Sequence, residues 1–126
     1  MRIDRLDHLV LTVADLDATI EFYAGVLGMT DTVFEDGRHA LTFGASKINL
    51  HVAGHEFEPK ALHTEPGSAD LCFVVDDPIE EVADVLTSAG VHIEEGPVDR
   101  TGATGPIRSL YVRDPDQNLI ELSNYR

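Results

Sequence analysis

The chain has 126 residues, 43% of them hydrophobic, and sets 23 acidic side chains against 9 basic ones for a formal charge of −14. That length suits one domain with a real core, and so acidic a surface repels phosphate backbones and anionic membranes, which leaves nucleic acid and membrane out of the expected partners. With no run of 18 apolar residues, no signal-peptide core in M-R-I-D-R-L-D-H and a single cysteine, Cys72 in L-C-F-V-V, the expectation is a soluble cytoplasmic protein with a buried, inert thiol and no multi-cysteine zinc site.

Residues 8–13, H-L-V-L-T-V, are rich in β-branched and aliphatic side chains and are predicted as a first strand. Asp15 and Asp17 then offer N-caps, Leu16, Ile20, Tyr23 and Leu27 recur at helical spacing, and Gly28 closes the helix. Residues 29–34, 40–43 and 47–52 read as three strands, with E-D-G-R and G-A-S short enough for hairpins. Residues 53–68 hold two prolines, two glycines and no apolar period, and are read as a linker between modules near 1–55 and 68–126.

Strand signals return over residues 70–75. Asp77 and Pro78 resemble an N-cap with proline at the first helical position, and Ile79, Val82, Val85, Leu86 and Ala89 form an apolar stripe that Gly90 stops. Residues 91–94 are predicted as a strand, residues 100–106 (R-T-G-A-T-G-P) as a loop, and residues 108–112 and 119–122 as strands meeting at the turn D-P-D-Q-N, where Pro115 fixes φ and the Asp and Asn side chains bond the backbone.

The two halves repeat. Asp15 and Asp77, Gly28 and Gly90, and His8 and Asp70 each lie 62 positions apart, and residues 48–50 correspond to residues 120–122 across a longer loop. The chain is therefore read as an α+β protein, a tandem duplication of one β-α-β-β-β module. Two curved sheets closing edge to edge would place His8, Asn49, Asp70 and Glu121 at equivalent positions in a cleft.

Among the polar residues, Glu121 interrupts an apolar strand. It is either paired with Arg108 or Arg113, or exposed, or a metal ligand or general base. His51 is either satisfied by a hydrogen bond or a ligand. The 100–106 stretch lacks the G-K-[ST] of a phosphate cradle; it is either a hairpin connection or a lid through which Arg100 or Thr101 meets substrate, with Arg108 and Tyr111 on the adjoining strand as further substrate contacts.

The duplicated module, the entry L-D-H-L-V-L-T-V-A-D-L, the helix with F-Y-A-G-V-L-G-M and the closing Y-V-R-D-P-D-Q-N-L-I-E-L resemble the vicinal oxygen chelate superfamily, which holds glyoxalase I, extradiol dioxygenases and the fosfomycin and bleomycin resistance proteins. The motifs K-I-N-L-H, E-F-E-P-K-A, P-G-S-A-D-L-C-F and N-L-I-E-L-S-N-Y are similar to those of its glyoxalase domain-containing protein 5 group. The resemblance implies metal-ligand positions at His8, Asn49, Asp70 and Glu121. Asn49 stands where glyoxalases have Glu and Asp70 where many members have His. His51, on the same strand face as Asn49, would complete a set of His8, His51 and Glu121 around a divalent ion such as Fe, Mn, Ni or Zn, with Asp70 nearby. The implied function is a metal-dependent lyase or dioxygenase acting on a small molecule with vicinal oxygens. The alternative is a metal-free binding protein of the bleomycin-resistance type. A homodimer is expected in either case.

Overall fold

The computed structural model describes residues 1–126. Its elements run β1 (His8–Val13), α1 (Leu16–Ile20) continuing as a π-helical stretch (Glu21–Val26), β2 (Thr30–Phe34), β3 (Arg38–Phe43), β4 (Ser46–Val52), β5 (Asp70–Val74), α2 (Ile79–Ser88), β6 (Glu95–Gly102), β7 (Gly105–Arg113) and β8 (Leu119–Tyr125). They divide into two compact units, Met1–Pro66 and Gly67–Arg126. Each unit is a four-stranded mixed sheet with a helix after its first strand. The strand orders, β1-β4-β3-β2 and β5-β8-β7-β6, are the same, with the first strand parallel to the last in both. No helix is long and apolar enough to cross a membrane.

Period-2 alternation sorts each sheet into two faces. In the first unit Leu11, Val13, Leu41, Ile48 and Leu50 are buried on one face, and Phe22 and Tyr23 of the helical stretch join them in the core. Asp15 caps that helix through a 3.0 Å bond from Ala18 N–H to its carboxylate. The last turns widen to π geometry, with Leu27 N–H reaching back to Phe22 C=O at 3.0 Å. In the second unit Leu110, Val112, Ile120 and Leu122 form the helix-side face, and Ile79 and Leu86 of α2 are buried with them. Burial of each such side chain is worth about 2 kcal/mol.

The closing turn is built as its residues dictate. The Asp114 carboxylate accepts the N–H groups of Asp116 and Asn118 at 2.9 Å and the Asn118 amide at 2.7 Å, while Asn118 Oδ1 accepts Ala69 N–H at 2.8 Å. One fully buried asparagine thus ties the turn to the entry of β5.

Several expectations are corrected. Residues 91–94 form no strand; β6 begins at Glu95. Residues 100–106 are not a lid: β6 and β7 pair down to Gly102 and Gly105, leaving Ala103 and Thr104 as a two-residue turn. At Gly102 a Cβ would lie 2.7 Å from the Tyr125 hydroxyl, so the glycine lets that side chain pack against the turn. Asp77 does not cap α2, whose Ile79 N–H instead donates to Asn124 Oδ1 on β8 at 2.7 Å. Cys72 is exposed, because its position in β5 puts it on the face away from α2.

Candidate functional site

The face of each sheet away from its helix carries the polar side chains. In the second unit the register aligns Cys72 with Glu121, Glu121 with Tyr111, and Ser123 with Ser109, so all five share that face, together with Asp70. The Glu121 carboxylate can only accept. Its Oε2 takes a 2.6 Å bond from Ser109 Oγ, whose oxygen stands 2.7 Å from Ser123 Oγ, which in turn lies 3.3 Å from Cys72 Sγ. The relay therefore runs from thiol to carboxylate, Cys72 to Ser123 to Ser109 to Glu121. It needs a protonated thiol, and partial covering of the sulfur, opposed by the Ser123 hydrogen bond and aided by the Glu121 and Asp70 charges, pushes the Cys72 thiol up.

On the other side of Glu121, Arg100 Nε donates to the Tyr111 hydroxyl at 3.0 Å and Arg100 Nη2 to Glu95 Oε1 at 3.0 Å. Simple alternation would put residues 95 and 100 on opposite faces. A bulge between Glu95 and Val98 adds the residue that brings them together. Gly96 sits in it at φ +109°, and a Cβ there would lie 2.5 Å from Ser109 C=O, so no other residue fits. The Tyr111 oxygen accepts from Arg100, which leaves its O–H free to donate. Partial burial pushes the phenol up, the adjacent Glu121 charge adding to that and the Arg100 hydrogen bond opposing it.

Two expected substrate contacts lie elsewhere. Arg108 is one register step from Ser109, hence on the helix side, where it pairs with Glu80 of α2. Thr101 alternates away from Arg100 and is exposed on the same opposite face. Nor does Glu121 pair with an arginine: Arg113 is taken by Glu94 in a two-bond ion pair, both at 3.1 Å.

In the first unit His8, Val10 and Thr12 of β1 align with Lys47, Asn49 and His51 of β4. His8 is exposed. Its Nδ1 lies 2.8 Å from the Asp7 carboxylate, which fixes the proton on Nδ1 and leaves the Nε2 lone pair outward. His51 is four residues along from Lys47, the partner of His8, roughly 13 Å at the rise of a strand, too far for two imidazoles to hold one ion at bonds of about 2.1 Å. The expected pairing of His8 with His51 is corrected on that ground. Asn49 is only two residues along, and Asp70 and Glu121 have the same two-residue offset in the second unit, since Asp70 pairs with Leu119.

His51 is 92% buried, its Nδ1 has no hydrogen-bond partner, and its ring meets Phe57 edge-on at 5.4 Å. Burial, then the Arg38 charge, pushes its pKa down, with Glu56 opposing. The Asn49 Oδ1 atom is buried and likewise without a partner. The remaining histidines serve the surface: His39 pairs with Asp31 at 2.8 Å, and His55, His63 and His92 are exposed.

The donors present fit a divalent ion. His8 and Glu121 each have one polar atom held by a neighbour and another left free, as outer partners of metal ligands arrange. Asn49 adds an orphaned acceptor, which a cation satisfies. No three His, Cys, Asp or Glu side chains converge anywhere in the structure.

Sequence reading had not singled out Ser109, Ser123, Glu95, Arg38 or Phe57. The alternation of residues 107–113 and 119–125 already placed Ser109, Tyr111, Glu121 and Ser123 on one face. The bulge and the folding back of Phe57 onto the sheet left no comparable signal.

Residues 5–122 match the family described as the Glyoxalase/Bleomycin resistance protein/Dioxygenase superfamily. Virulence protein STM3117 of Salmonella typhimurium is 59% identical over 99% of this chain and 87% of its own length, and its crystal structure superposes with a TM-score of 0.98 over the whole of both chains. Glyoxalase domain-containing protein RDO1 of Mycosarcoma maydis is 60% identical over 96% of this chain and 68% of its own length. A relative from Vibrio cholerae named "Probable lactoylglutathione lyase" is 34% identical over 94% of this chain and 88% of its own.

Proposed function

Because this chain belongs to the Glyoxalase/Bleomycin resistance protein/Dioxygenase superfamily, we propose that it is a metal-dependent enzyme of glyoxalase type acting on a small molecule with vicinal oxygens. The observation that carries this reading is the organisation around Glu121, a carboxylate that no arginine neutralises and whose Oε2 is held by Ser109. A buried network is retained around such a group when its free oxygen has a task.

In this reading His8, Asn49, Asp70 and Glu121, the positions that the family resemblance implies, are the candidate donors to a divalent ion. When bound, the ion supplies Lewis-acid stabilisation of negative charge on adjacent substrate oxygens. The chain's own residues do the rest. Asp7 keeps His8 in the tautomer whose Nε2 can donate a lone pair. Ser109 keeps Glu121 oriented with Oε1 available to accept a proton. Tyr111, its oxygen anchored by Arg100, offers its O–H to a substrate oxygen or to Glu121. A homodimer is part of the proposal, since each four-stranded sheet has edge strands that need cover. Light scattering at about 10 μM, well above the Kd of a stable dimer, should give twice the chain mass; a monomer there refutes the dimer.

One observation favours the metal-free binding reading: Asn49, a neutral amide and weak ligand, occupies the position that Glu121 occupies in the other unit. Glu121→Gln separates the two. The metal reading expects the substitution to weaken metal binding at least about tenfold, with the fold intact by circular dichroism. Metal at background in both proteins favours the binding reading.

A further inference from the structure

The sheet face that carries Asn49 and His51 has an unusual charge for this protein. Its strand residues are His8, Val10, Thr12, Thr30, Thr32, Phe34, Arg38, Ala40, Thr42, Lys47, Asn49 and His51, with no carboxylate among them. The only acid in any strand of the first unit, Asp31, lies on the opposite face, engaged by His39. In a chain of charge −14 this is the reverse of the average.

Arg38 and Lys47 on this face are held differently from the four arginines of the second unit. Arg100, Arg108, Arg113 and Arg126 each donate a hydrogen bond to a carboxylate. Arg38 instead stacks on Phe57, 3.8 Å from the ring centroid, and comes no nearer than 3.9 Å to its one carboxylate neighbour, the exposed Glu35. Lys47 lies over Phe34 at 4.3 Å. Aromatic rings hold both cations in place while leaving their N–H groups free. Beside Arg38 stands His51, which meets the same Phe57 ring edge-on at 5.4 Å and is 92% buried with Nδ1 unpartnered; Lys47 lies four residues away along β4. Leaving such a group unsatisfied costs about 1–3 kcal/mol, so a ligand that bonds it recovers that loss.

We infer that the Arg38 end of this face is a binding subsite for the carboxylate of an organic acid, with Arg38 as the charge partner, His51 as a hydrogen-bond donor, and Phe57 as a wall for the apolar body of the ligand. Arg38 presents a planar fork that matches a carboxylate. The acid nearest to His51 is Glu56 of the linker, which is engaged by the Thr64 hydroxyl at 3.1 Å.

The inference rests on the reading of the chain as a small-molecule protein, and it does not depend on the metal. The test is calorimetric titration of the full-length protein with benzoate and phenylacetate, each against its neutral amide, and with inorganic phosphate. Both carboxylates should bind at least about tenfold more tightly than their amides and than phosphate, and Arg38→Gln should remove about tenfold of the affinity, the worth of one charge-assisted bond. The inference is overturned if neither carboxylate binds at about 10 mM, above the Kd range of ordinary ligand sites, if amides or phosphate bind as well, or if Arg38→Gln leaves affinity within twofold. A normal metal content beside failed carboxylate binding removes this subsite alone; absent metal beside intact carboxylate binding removes only the metal reading.

Discussion

Glu121 and Asn49 occupy matching places in their two units, yet their surroundings differ: the carboxylate is held by a serine relay, the amide oxygen by nothing. That difference was invisible in sequence, where both were polar residues in apolar strands. Period-2 alternation did tell which strand neighbours could share a face with Glu121, and it had already placed Arg108 away from Tyr111. His51 has a consequence that can be measured. Its folded pKa is depressed by burial, so between that value and the unfolded value of 6.5 the unfolded chain binds more protons, and stability rises with pH. The contribution is present in full above pH 6.5 and is lost as pH falls through 6.5 toward the folded pKa. Denaturation of the wild type across pH 5–8 should show this loss, and His51→Gln, which cannot titrate there, should flatten it. An unchanged profile would show that His51 protonates as readily in the fold as outside it.

At the scale of elements, the sequence was most legible where a local rule decides alone. Asp15 as a cap, the glycines that end both helices at φ +81° and +77°, and the Asp114 turn follow from short-range chemistry. It was least legible where a distant strand supplies the partner. The N-terminus of α2 is closed by Asn124 from β8, whose Nδ2 also donates to Val75 C=O at 3.0 Å and Asp77 C=O at 2.9 Å. Nothing near Asp77 announces this. Asn124→Ala leaves the Ile79 N–H and two carbonyls without partners and should cost about 1–2 kcal/mol, or roughly 4–8 °C in Tm for a chain of this size. Asp77→Ala should cost less, because its carboxylate caps nothing; equal losses would contradict the assignment of the cap. The β6 to β7 connection is the other case. Its glycines read as mobility in sequence, whereas in the fold they admit the Tyr125 hydroxyl and a two-residue turn.

The duplication is the feature on which the whole molecule turns. A repeat of 62 positions became two sheets of the same strand order, and the offset between His8 and Asn49 recurs between Asp70 and Glu121. Chemistry has diverged within that shared frame. One unit presents carboxylates and a hydrogen-bond relay; the other presents cations, an amide and a buried imidazole. The functional reading stands or falls with the metal. The direct measurement is elemental analysis of the protein purified without chelators or a metal-affinity tag, then incubated in turn with Fe(II), Mn(II), Ni(II) and Zn(II) and desalted. The account predicts that at least one of these ions is retained at close to one per chain and is largely lost in Glu121→Gln. Retention well below one per chain for all four ions would contradict it.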